Sequence, residues 1–204
     1  MHTDLHPHLR RAPSVAVVGI LALVLTACSG RGGGQLPPDP VFTGPASFGF
    51  DFSCEDQGGV NPPTGQLRIQ LSYTDRGSNR ILGSSAFSIH GTVDAIDPTL
   101  ESMICIGKNE PPGGEELIFL GRYRKTTSAT AGFPSACPTR ETATTPLCRF
   151  EVIVRDNDMN RVPSTGDFFQ IRLSGGTALD DELDPATVFY TRGGLLSSGN
   201  LTVE

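Results

Sequence analysis

After its first 28 residues the chain has almost no helical periodicity, and stretches in which apolar and polar side chains alternate recur along it. An alternation of period two puts one side-chain set on each face of an extended strand, whereas a helix would need a period near 3.6. "FGFDF" sets Phe48, Phe50 and Phe52 on one face. "QLRIQLSY" does the same with Leu67, Ile69 and Leu71, leaving Arg68 and Gln70 opposite. "AFSIHGTV" groups Phe87, Ile89 and Val93, "RFEVIVRD" groups Phe150, Val152 and Val154, and "FFQIRL" groups Phe169, Ile171 and Leu173. "ELIFLGRYR" starts apolar on both faces, the mark of a central strand, and "TVFY" and "NLTVE" complete the set. Gly, Pro, Asn and Asp punctuate the gaps. Short half-buried strands without helices predict an all-β fold, an antiparallel β-sandwich of about eight or nine strands or a related barrel.

The N-terminus reads differently. "VAVVGILALVL", Val15 to Leu25, is an apolar run of 11 residues behind Arg10 and Arg11. A membrane-spanning helix needs about 20, so the run has the length of a secretory signal core. "LTAC", Leu25 to Cys28, then resembles the bacterial lipobox at all four positions. That resemblance implies cleavage before Cys28 and acylation of its thiol, with palmitate or a related chain. Two or three acyl chains, at ~0.8 kcal/mol per buried methylene, hold a protein on a bilayer durably. Ser29, where an aspartate would retain a lipoprotein at the inner membrane, implies routing to the outer membrane of a bacterial envelope. The expected organisation is therefore a signal peptide at 1–27, a lipidated Cys28 with a Gly/Pro-rich tether over 28–45, and one β domain over 46–204. "SGRGGGQLPPDPVFTG" would span roughly 20–25 Å as a flexible chain.

Charge and cysteines narrow the partners. The precursor carries −6. Asp4, Arg10 and Arg11 give the leader +1, so the mature chain carries −7. Without a basic stripe, nucleic acid is not an expected partner, and membrane association rests on the lipid. Cys54, Cys105, Cys137 and Cys148 remain after Cys28, an even count that reads as two disulfides in an exported chain. Three pairings are possible. The reading taken is Cys137–Cys148, which closes "CPTRETATTPLC", together with Cys54–Cys105. No C-x-x-C spacing and a single mature histidine, His90, argue against zinc.

At this point a family resemblance emerges. "ASFGFDFSCE…PTGQLRIQLSY", "FSIHGTVD", "FEVIVRDND…TGDFFQIRLS" and "GGLLSSGNLTVE" resemble the post-choice-of-anchor domain, a bacterial C-terminal module, over nearly all of Ala46 to Glu204. The chain departs from it in its four cysteines, in insertions around Cys105 and Cys137, and in Asp158 where glycine is usual. The resemblance implies an all-β module of exported proteins and supplies no catalytic residues.

Chemistry is sparse. No G-x-S-x-G, S-x-x-K or H-E-x-x-H occurs. His90 shares parity with Ser88 and Thr92, opposite Phe87 and Ile89, so it is expected to face solvent. "DNDMNRVPSTGD" can be read as a twelve-residue calcium loop, with oxygens at Asp156, Asp158, Asn160, Ser164 and Asp167. Arg161 in place of the turn glycine, Pro163 and flanking strands favour a plain hairpin connection instead. The sequence reading is thus a non-catalytic envelope lipoprotein with an interaction or structural role. The alternatives are a calcium-stabilised ligand-binding module and an extracytoplasmic hydrolase with an unfamiliar site. Cells fed tritiated palmitate are expected to label the full chain and not its Cys28→Ala variant; gel autoradiography with membrane fractionation checks this.

Overall fold

A computed structural model describes residues 27–55, 67–77, 86–92, 106–110, 114–126, 133–134, 136–140, 147–157, 166–177 and 183–203. Of the expected signal peptide, residues 1–26 lie outside them. Ten strands follow in order: β1 (Ala27–Leu36), β2 (Ala46–Glu55), β3 (Leu67–Asp75), β4 (Phe87–Thr92), β5 (Ile106–Glu110), β6 (Gly114–Lys125), β7 (Cys148–Asp156), β8 (Phe168–Ser174), β9 (Val188–Leu195) and β10 (Ser198–Val203). One 3-10 turn, Pro185–Thr187, precedes β9. No α-helix occurs among the described residues, and no helix there is long and apolar enough to cross a membrane.

All ladders are antiparallel and belong to one sheet, in the order β10-β1-β2-β3-β4-β6-β7-β8-β9, with β5 added on β6. The all-β expectation holds. Of its two forms, the described strands fit the related barrel better than the sandwich: they make one continuous sheet that curls on itself. The connection between its ends forces this. Nine strands laid flat at ~4.8 Å spacing would be about 38 Å across. Yet only Leu196 and Ser197 separate β9 from β10, and three Cα steps reach at most about 11 Å. The two ends of the sheet must therefore come together. Curling brings β10 over β6 and β7 on the inside.

The enclosed face is the one that the alternation marks. Phe48, Phe50, Phe52, Ile69, Leu71, Phe87, Ile89, Phe150, Val152, Val154, Phe169, Ile171 and Leu173 are all buried, while Arg68, Gln70 and His90 are exposed. Nine of the 11 phenylalanines are buried, each contributing about 1.5–3 kcal/mol of apolar burial. Phe48 stacks on Phe169 at 3.6 Å, and Phe52 on Phe119 at 5.1 Å, joining strands from opposite sides of the core.

The expected tether is overturned. Residues 27–36 form β1, paired with β2 along its whole length and with β10 from Gly30 to Gln35. Its glycines suit close packing. A Cβ at Gly30 would fall 2.5 Å from Leu117 Cδ2, and one at Gly34 would fall 2.6 Å from the Ser198 carbonyl oxygen. The following segment is fixed as well. Asp39 Oδ1 accepts the N–H groups of Val41 and Phe42 at 2.7 and 2.8 Å. Arg192 Nη2 donates to the carbonyls of Pro37 and Gly44 at 2.9 and 2.8 Å, and its guanidinium lies over the Phe42 ring.

Arg192 anchors a buried polar cluster. Its Nη1 lies 2.9 Å from Asp75 Oδ1, both side chains 1% exposed. Tyr190 donates to Asp75 Oδ2 at 2.8 Å, and Gly77 N–H donates to Asp75 Oδ1 at 3.0 Å. The Tyr73 and Tyr190 hydroxyls meet at 2.5 Å. Elsewhere Cys137 and Cys148 form the expected disulfide, with Cα atoms 5.3 Å apart. The Tyr123 hydroxyl donates within reach of Cys137 Sγ and of the Ser174 carbonyl.

All three tyrosines of the chain are therefore buried. Burial pushes the hydroxyls of Tyr73, Tyr123 and Tyr190 well above the phenol range. Unfolded tyrosine ionises near about 10, so above that pH the unfolded chain releases protons that the native chain keeps. Stability is then present in full below pH ~10 and falls as pH rises beyond it. In an alkaline titration, tyrosinate absorbance is expected to appear together with loss of β circular dichroism. Tyrosinate at half amplitude in a still-folded protein would contradict this.

Candidate functional site

The outer face of the sheet divides into two halves with different fates. Over β6, β7 and β8 it is occupied. Leu120 packs with Leu183 and Val188 as a small second apolar cluster. Arg122 Nη1 donates to the Leu147 carbonyl at 3.0 Å, Arg172 Nη1 pairs with Glu151 Oε1 at 2.8 Å, and Arg155 pairs with Glu116.

Over β1, β2, β3, β4 and the end of β6 the outer face carries an open trough of about 590 Å³. Strand register builds it from two cross-strand rows. One runs Asp51, Gln70, Thr92; the other runs Gly49, Ser72, His90, Arg124. The second row begins with Gly49 and Ser72, so little side-chain bulk stands at that end of the trough. His90 and Arg124 rise at its far end.

Asp51, Gln70, Ser72, His90 and Arg124 are all exposed, and none engages a side-chain hydrogen bond or ion pair among the described residues. Together they offer a carboxylate acceptor, an amide of both kinds, a hydroxyl, an imidazole and a guanidinium. That set suits hydrogen-bonded recognition of a polar ligand lying across the strands. Ser72 and His90 stand opposite each other in register. However, no hydrogen bond joins them, and the residue flanking His90 on its other side is Arg124, not an orienting carboxylate. Ser72 and His90 are thus not arranged here as the nucleophile and base of a serine–histidine–acid triad.

Gly49 is informative. A Cβ there would meet only the Gly32 carbonyl oxygen, at 3.9 Å, an ordinary contact. A mid-strand glycine costs roughly 0.5–1 kcal/mol relative to alanine, and here neither crowding nor a positive φ requires it. Its effect is to keep the trough floor low. Gly33 beside it is different, because its Cβ would lie 2.9 Å from the Phe48 carbonyl oxygen.

The residues singled out by sequence fall as follows. His90 faces solvent, as its parity implies, and lines the trough. Cys28 registers directly opposite Cys54 across β1 and β2; their side chains, and Cys105, lie outside what is described. Asp156 ends β7 and is buried. Asp167, also buried, accepts Leu201 N–H at Oδ2 (2.8 Å) and Asn157 N–H at Oδ1 (3.2 Å). It thereby ties the β7–β8 connection to β10. Asp158, Asn160 and Ser164 lie outside the described residues, so the full calcium loop is not described, and no metal-binding group occurs among the described residues. Sequence reasoning missed Asp51, Gln70 and Arg124 as a group. Each sits at an outward parity position, but only the register reveals that they share rows.

Comparison of the chain with protein-family models, curated proteins and solved structures finds no match. Replacing Gly49 with Ala is expected to raise unfolding free energy by about 0.5–1 kcal/mol. Gly33→Ala is expected to lower it, because the strand must shift away from Phe48. Urea unfolding of both variants checks the contrast.

Proposed function

We propose that the chain is an exported, non-catalytic binding module, lipid-anchored through Cys28 on a bacterial outer membrane and related to the post-choice-of-anchor domain. Its trough recognises an extended polar ligand of the envelope or its surroundings. The single observation that carries this reading is the contrast between the two halves of the outer face. Arg122, Arg155 and Arg172 over β6 to β8 are engaged by neighbouring groups, while Asp51, Gln70, Ser72, His90 and Arg124 of the trough make no side-chain hydrogen bond or ion pair among the described residues. Aromatic stacking is not the means, since the chain has no tryptophan and all its tyrosines are buried. The lipobox resemblance of Leu25 to Cys28 supports an extracytoplasmic address, and the net negative charge of the mature chain leaves membrane attachment to the lipid.

An array of envelope polysaccharides and extended peptides tests the reading. The wild-type chain is expected to retain at least one class of these probes. Gly49→Trp, which fills the trough floor, and Arg124→Ala, which removes a donor, are expected to lose binding about tenfold or more, an effect of 1.4 kcal/mol. Their thermal midpoints should stay near the wild-type value. Equal retention by Gly49→Trp would remove the trough from the function.

A further inference from the structure

We infer that the lipid anchor has no spacer, so that the rim of the curled sheet nearest Cys28 rests on the bilayer with the trough just above it. This rests on the anchor proposed above; the geometry is independent of it. Strand β1 begins at Ala27, one residue before Cys28, and Cys28 is already in register with Cys54. From Gly30 onward the strand is paired on both sides, with Val203 and with Phe52. At most two residues, or about 7 Å, separate the acylated position from a strand held by two neighbours.

The residues that could have served as a leash are spent. The glycines of β1 face carbonyls and side chains too closely to admit a Cβ at Gly30 or Gly34. The segment after β1 is clasped by Arg192 at Pro37 and Gly44, and its Phe42 ring packs against Tyr190.

Heights follow from strand rise. At ~3.3 Å per residue, Arg31 and Gly33, in register with Asp51 and Gly49, stand about 10 and 17 Å along the strand from Cys28, and Leu36 about 26 Å. The trough therefore opens sideways close to the lipid surface, and its ligand must lie within that layer. The mature chain's net negative charge gives no attraction to anionic head groups, so the covalent link alone would hold the rim down.

The test uses the full chain expressed in a double-membrane bacterium, with a photo-crosslinking residue at Arg68 near the rim or at Thr74 near the opposite end of β3. These outward positions are six residues, or about 20 Å, apart along the strand. The mass of the N-terminal peptide reports acylation. With Cys28 acylated, lipid adducts are expected to be about fivefold or more abundant at Arg68 than at Thr74. Inserting a flexible Gly/Ser segment between Ser29 and Gly30 should abolish that preference. An unacylated Cys28 overturns the anchor and this inference together. Equal adducts at the two positions on an acylated chain, or a preference that survives the insertion, overturn the spacerless geometry and leave the anchor standing.

Discussion

The pairing of β1 with β10 is the constraint on which the architecture depends. Through it the last strand of the chain joins the first, and the two-residue step from β9 to β10 then draws the opposite end of the sheet around. The curl encloses one face of the strands along that path, which gives the phenylalanine-rich interior its seal. β1 supplies little apolar surface of its own, chiefly Leu36. Its contribution is a set of backbone donors and acceptors in a slot between β2 and β10. Burying unpaired backbone groups there would be costly, so the strand is held by satisfied hydrogen bonds more than by hydrophobic contact.

The parts of this fold legible in the sequence were those where local pattern and tertiary burial agree. The parity of "FGFDF", "RFEVIVRD" and "FFQIRL" is the parity of the core. The Cys137–Cys148 bridge follows from a short loop between two thiols. "GRGGGQL" misled because glycine in isolation signals chain freedom, and only the neighbouring strands turn it into a requirement for closeness. The same holds for the sandwich. Alternation tells which side chains point inward, but not whether the inward faces belong to one sheet or two. The trough was illegible for a related reason: Asp51, Gln70, His90 and Arg124 lie on four strands, and their grouping exists only once register is set.

Polar groups inside the molecule are placed to join segments distant in sequence. Arg192 reaches from β9 to the stretch after β1, Asp75 gathers Tyr190 and Gly77, and Asp167 accepts a backbone N–H from β10. An arginine and an aspartate almost without solvent contact are expensive to desolvate, and apolar residues of the same volume could match them in stability. Their directional bonds fix where the Pro-rich stretch and the strand ends lie, which apolar packing alone specifies less sharply.

Gly30 and Val203 face each other although 173 residues separate them along the chain. A contact of such long sequence range forms late, after nearer strands have already zipped together. Until the final segment arrives, β1 is a bare edge able to recruit a strand from another molecule. Loss of even the last few residues would therefore leave a core with an open seam, and a molecule more prone to aggregate than to unfold cleanly.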